Sequence, residues 1–139
     1  MKVPFTKVNP SAIAPVYGSQ EAAAFDVFSV EAVTILPQQT ICIHTGISVA
    51  ISDNHCLQVW DRSSMGAKGI HRFAGLIDSD YRGEIKIVLY NSTPTNYAVK
   101  VGDKIAQLAV VPCLRAVFFE MDALPATARG SGGFGSTGS

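Results

Sequence analysis

The chain has 139 residues, 47% of them hydrophobic and only 16% charged, which fits one domain with a real core and fewer charges than the ~25% usual for soluble domains. Eleven Lys and Arg balance eleven Asp and Glu; a net charge of zero supplies no long-range field to gather nucleic acid or an anionic membrane. No apolar run approaches the ~18 residues of a membrane-spanning helix, and Met1 leads to Pro4 and Lys7 without a signal-peptide core.

In chain order, the first distinctive segment is Ala22–Ser29, where Asp26 stands alone among apolar residues. From there a period of two dominates. Ile41 and Ile43 alternate with Cys42 and His44, then Ile47, Val49 and Ile51 with Ser48, Ala50 and Ser52, and Leu57 and Val59 with Cys56 and Gln58. Ile85, Ile87 and Leu89 continue the pattern, and apolar runs follow at Ile105–Val111 and Ala116–Phe119. Turn signals separate these runs at Pro37-Gln38, Asp53-Asn54, Thr93–Asn96 and Gly102-Asp103. Many short strands at such spacing predict an all-β barrel or sandwich, with one helical turn near Ser64–Lys68. The low charge points to apolar surface covered by another subunit. Cys42, Cys56 and Cys113 form no CxxC pair and read as reduced thiols of an intracellular protein.

Three segments carry chemistry. Arg62, Ser63 and Ser64 leave a predicted strand, with Gly66 close behind, and offer donors for a phosphate; the Walker pattern is absent. Gly75–Gly83 sets Asp78 and Tyr81 between glycines; behind Leu76 and Ile77, a partly desolvated Asp78 is placed to deprotonate a water. The tail from Arg129 interleaves five glycines with Phe134, Ser136 and Thr137: backbone N–H groups and a guanidinium for phosphates, and a ring for stacking. Asp26 suits a hydrated metal ion or a turn cap, and Gly102–Leu108 is a turn entering a strand. His44, His55 and His71 lack metal-ligand spacing, and the zinc deaminase signature is absent.

Taken in order, Ala23–Ser29, Arg62–Ile70, Gly75–Gly83, Gly102–Leu108 and Arg129–Gly138 resemble the five motifs of the homotrimeric dUTP diphosphatase (dUTPase) family. The resemblance implies a single domain: a jelly-roll-like β-barrel over residues 1–128 with a lid over residues 129–139. It implies an intracellular enzyme that hydrolyses dUTP to dUMP and pyrophosphate with Mg²⁺, keeping uracil out of DNA and supplying dUMP for thymidylate. Three sites would lie at subunit interfaces, without nucleic acid or membrane. Asp78 would activate the attacking water, Tyr81 would pack against the deoxyribose, and the His71–Gly75 backbone would read uracil. Arg62, Ser63, Ser64 and Gln107 would cradle phosphates, and Asp26 would hold Mg²⁺ through water. Arg129, Ser136 and Thr137 would close on the phosphates, with Phe134 over the base and Gly135 also binding substrate.

The sequence departs from the family pattern in three places. Ala24 stands where Gly is usual. Asp61 replaces the Pro before the Arg-Ser pair and stands to compete for the Arg62 guanidinium. His71–Ala74 is bulkier than the small residues common before Gly75. A dCTP deaminase of the same fold is an alternative, but it lacks the glycine-rich tail pattern. A second alternative is a dUTPase-fold regulatory binding protein.

Overall fold

A computed structural model describes residues 1–133. Twelve strands and one helical turn alternate along it: β1 (Phe5–Lys7), β2 (Val16–Tyr17), β3 (Phe25–Phe28), β4 (Val33–Ile35), β5 (Thr40–His44), β6 (Ile47–Val49), β7 (His55–Trp60), α1 (Ser63–Gly66), β8 (Ile70–Phe73), β9 (Leu76–Ile77), β10 (Lys86–Asn91), β11 (Tyr97–Val99) and β12 (Lys104–Pro112). The chain is nearly all-β, as its two-residue alternation predicts. The strands pair antiparallel in four sheets: β2-β3-β12-β7-β9, β5-β10-β8, β1-β6 and β11-β4. No helix among the described residues is long and apolar enough to cross a membrane.

The four expected turns fall between strands. Gln38 and Gly102 take left-handed backbone there, with φ of 59° and 84°. The core collects the inward residues of these short strands, with Val27, Ile35, Ile43, Leu57, Ile70 and Leu108 fully buried. Asn91 is a fully buried polar residue. Its amide donates to the Ile35 and Thr95 carbonyls, and its carbonyl accepts from the Thr93 N–H and hydroxyl. Both ends are thereby satisfied, which removes the penalty for burying them.

The Ala116–Phe119 run is not a strand. It lies in an arm that follows β12, where Leu114, Val117, Phe118, Phe119 and Leu124 are at least 77% exposed. An apolar run becomes a strand only where a neighbouring edge accepts its backbone bonds, and among the described residues no edge does so.

Candidate active site

Register across the five-stranded sheet builds the first cluster. Gln107 on β12 lies opposite Asp26 on β3 and Trp60 on β7, which lines up three strands at one level. Two residues beyond Trp60 the chain leaves the sheet into α1, and Arg62 swings back over it. Arg62 donates from one terminal nitrogen to the Lys104 carbonyl at 3.2 Å, and its Nε approaches Asp26 Oδ1 at 3.5 Å. Lys104 Nζ sits 2.7 Å from Asp26 Oδ2, and Gln107 Nε2 donates to Oδ1 at 3.4 Å. Asp26 is only 3% exposed. A carboxylate buried to that depth needs such cations to stay charged.

This arrangement bears on two expectations. Asp26 has both oxygens turned to Lys104 and Arg62, so a hydrated Mg²⁺ would share the carboxylate with these cations. Among the described residues, no three His, Cys, Asp or Glu side chains gather as metal ligands. Asp61 does not compete for Arg62. Its Oδ1 accepts the Arg72 N–H at 2.7 Å, and its Oδ2 lies 3.3 Å from His71 Nδ1. It ties the end of β7 to the start of β8. Lys104 was missed in the sequence; its signal was a lone cation opposite a strand that carries a lone acid.

Asp78 and Tyr81 form the second cluster. They occupy the turn after β9, closed by the Tyr81 N–H donating to the Asp78 carbonyl at 3.2 Å. The Tyr81 hydroxyl donates to the Glu84 carbonyl at 3.0 Å. Gly83 is required for that pose, because a Cβ at this position would run into the Tyr81 ring. A cavity of about 290 Å³ is lined by Asp78, Tyr81, Glu84 and Lys86, with Ile77 and Cys42 among its apolar walls. Asp78 itself is exposed, not desolvated behind Leu76 and Ile77; the turn carries its side chain past them.

Glu84 anchors the far side of this cavity. Burial pushes its carboxyl up, but hydrogen bonds from His44 and the Gly46 N–H, together with the His44 and Lys86 charges, outweigh that and hold it below the usual carboxylate range. Cys42 also lines the cavity, a residue that sequence reasoning treated only as a thiol.

The remaining candidates are dispersed. Arg62 and Ser64 line a separate cavity of about 190 Å³ with Lys68, Tyr97 and Lys104. Ser63 opens α1 and is exposed. Gly75 lines a third hollow with Trp60 and Arg72, and its carbonyl accepts the Val59 N–H. Of the His71–Gly75 hairpin, no residue lines the cavity holding Asp78; the walls there come from the segments on either side of the Asp78 turn and from Cys42 on β5. Arg129 folds back on its own segment, its Nε donating to the Gly132 carbonyl at 2.8 Å. Phe134, Gly135, Ser136 and Thr137 lie outside the described residues.

An acid and a tyrosine over one cavity, cations over another and an arginine-bearing arm call for comparison with known proteins. The dUTPase family model matches residues 11–138. The chain belongs to the dUTPase family. The deoxyuridine 5'-triphosphate nucleotidohydrolase of Paramecium bursaria Chlorella virus 1 is 44% identical over 133 residues, covering 95% of this chain and 94% of the relative. The Helicobacter pylori strain P12 protein of the same name is 40% identical, covering 99% and 97%. A point mutant of the Staphylococcus bacteriophage 80alpha dUTPase, bound to dUpNHpp, superposes with a TM-score of 0.92 at 23% identity over 99% of both chains. A point mutant of the phage phi11 dUTPase from S. aureus, described with a structural Mg(II) ion, superposes with a TM-score of 0.85 at 22% identity over 91% of this chain and all of the other. These two likenesses establish the dUTPase fold.

Proposed function

We propose a route for the reaction that dUTPase membership assigns to this chain, the hydrolysis of dUTP to dUMP and pyrophosphate. The observation that carries it is the pairing of Asp78 and Tyr81 over one cavity, beside the anchored Glu84. The deoxynucleoside enters that cavity. Tyr81, held by its hydroxyl bond and by Gly83, packs against the sugar and leaves no room or partner for a 2′-hydroxyl. Asp78 takes a proton from the water that attacks the α-phosphorus.

The phosphates meet Arg62, Ser63, Ser64 and Gln107 of a second protomer. Two features support a shared site. Arg62 and Ser64 line a different cavity from Asp78. The apolar side chains of the arm are also exposed and need a surface. A homotrimer supplies both, and the arm then carries Arg129 and the tail residues Phe134, Gly135, Ser136 and Thr137 over the substrate as a lid. Arg62 suits its part, because it lines that separate cavity together with the cations Lys68 and Lys104. A Mg²⁺ requirement agrees with the family, and triphosphate oxygens are the hard ligands that ion prefers; no step here runs through it. The setting is intracellular, where the reaction keeps uracil out of DNA and yields dUMP.

Pyrophosphate release from dUTP, dTTP, dCTP and UTP tests the reading. Turnover is expected with dUTP and to fall at least ~100-fold in Asp78→Asn, the scale of a lost general base. Near-normal turnover in that variant would sink the assigned base, and deamination of dCTP would sink the reaction.

A further inference from the structure

Cys56 and Cys113 meet where the arm leaves the sheet. Cys56 on β7 pairs with Val111 on β12, and Cys113 lies two residues beyond Val111, so both thiols stand on one face. The Cys113 N–H donates to the Asn54 carbonyl at 2.7 Å, which carries the β7–β12 pairing past the end of the strand. Both residues line a hollow of about 460 Å³ whose opposite wall is the Asp78–Asp80 turn, with Leu114 and Arg115 of the arm beside them. Cys56 is buried at 4% exposure, and Cys113 is partly open to solvent.

From this placement we propose that Cys56 and Cys113 are a redox-modification site: a hydroperoxide joins them in a disulfide that pins the root of the arm beside the catalytic turn. Cys113, the sulfur that solvent reaches, attacks one peroxide oxygen. The O–O bond breaks, the leaving oxygen takes the Cys113 thiol proton, and Cys113 becomes a sulfenic acid. Cys56 sulfur then attacks the Cys113 sulfur. The S–O bond breaks, and the departing hydroxide takes the Cys56 proton as water. The two sulfurs lose one electron each, and the peroxide gains both.

The resting pair stays reduced until an oxidant arrives. The hydrogen bond with the Cys113 thiol, burial, and the charges of Cys113 and Asp78 push Cys56 up to about 11, so it is a poor nucleophile until Cys113 is activated. A diagonal pair across two antiparallel strands stands beyond ordinary disulfide reach, about 7–8 Å against a limit of about 7 Å, so closure requires the backbone at the arm root to move. Because Leu114 and Arg115 share the hollow with Asp78, that shift is felt at the catalytic turn. The effect on turnover rests on the proposed function, whereas the covalent link does not.

The full-length chain is to be treated with hydrogen peroxide and then analysed by mass, thiol titration and peptide mapping. The expected product has lost the mass of two hydrogens, contains a Cys56–Cys113 peptide and keeps one titratable thiol, Cys42. Its dUTP turnover should fall about 2-fold to 30-fold, the span of a coupling between neighbouring elements, and return on reduction with dithiothreitol. Cys113→Ser should turn over dUTP normally, form no link and resist peroxide. Absence of the link, a link involving Cys42, unchanged turnover in the linked protein, or an equal loss in Cys113→Ser would overturn the proposal. Reduced protein that leaves dUTP intact would instead count against the proposed function, while the mapping still decides the link.

Discussion

Lys104 Nζ lies 2.7 Å from Asp26 Oδ2, on a carboxylate that also faces Arg62. The pair binds β12 to β3 and fixes the level at which Arg62 is presented. Removing Lys104 leaves the buried Asp26 carboxylate with Arg62 as its remaining cation, and a buried charge short of a partner is costly.

Two substitutions separate positioning from metal binding. Lys104→Met is expected to lower stability by about 1–3 kcal/mol in urea unfolding, the range for bonds to charged groups. Asp26→Asn should raise the KM for dUTP through a misplaced Arg62, with the Mg²⁺ dependence of turnover unchanged. Rescue of Asp26→Asn by excess Mg²⁺ would instead make the carboxylate a metal ligand.

Gly83→Ala tests the seat of Tyr81. The added Cβ meets the Tyr81 ring, so the ring must leave the Glu84 carbonyl. The expected result is a lower rate with dUTP and a narrower gap between dUTP and UTP, because the element that excludes a 2′-hydroxyl has moved. Steady-state kinetics on both nucleotides read this directly, and preserved discrimination would place sugar selection elsewhere.

Glu84 gives a pH signature. Its carboxyl is held below the ordinary glutamate value of 4.5 by the His44 and Gly46 bonds, despite burial. A depressed folded value means that the ionised side chain stabilises the protein above about pH 4.5. That contribution drains away as pH falls further, through the folded value. Glu84→Gln should therefore lower the melting temperature at neutral pH and flatten its fall on the acid side. Melting curves parallel to the parent across pH 3–7, a range chosen about the carboxylate values, would contradict the assignment.

Ala74 takes left-handed backbone, φ 57°, in the turn between β8 and β9. For a residue with a Cβ that conformation costs roughly 1–2 kcal/mol, and a glycine gives back part of the relief through unfolded-chain entropy. Ala74→Gly is expected to be neutral to about 1 kcal/mol stabilising in urea unfolding. A clear loss of stability would show that the Ala74 methyl is packed.

Truncation after Ala128 asks what the tail does. Arg129 here makes its bond within its own segment, so its removal should leave the melting temperature almost unchanged while dUTP turnover collapses. A mixture of truncated chains with Asp78→Asn chains should regain some activity if a site draws its base and its lid from different protomers. Full turnover by the truncated chain alone would remove the lid.

What the sequence disclosed depended on how local the signal was. The alternation of Ile41, Ile43, Ile85, Ile87 and Leu89 announces β5 and β10, because one face of each meets the core. Asp78 and Tyr81 were legible as neighbours because they stand three positions apart in one turn. The Asp26–Lys104 pair was not, since 78 residues separate the partners and only the β3–β12 register brings them together. Ala116–Phe119 misled for the opposite reason: its composition suits a strand, but a strand also needs an edge. Two-residue elements such as β2 and β9 carry no period at all.

The exposed arm has a further meaning for how the protein comes into being. A freshly folded protomer holds Leu114, Val117, Phe118, Phe119 and Leu124 in water, and such surface is a liability for as long as it waits. With the arm docking on a second protomer as proposed, maturation becomes a race between two bimolecular encounters, productive docking and clumping, which share the same adhesive groups. Dilute refolding should be slow and concentration-dependent, and a mild excess of unfolded chains should tip it toward precipitate.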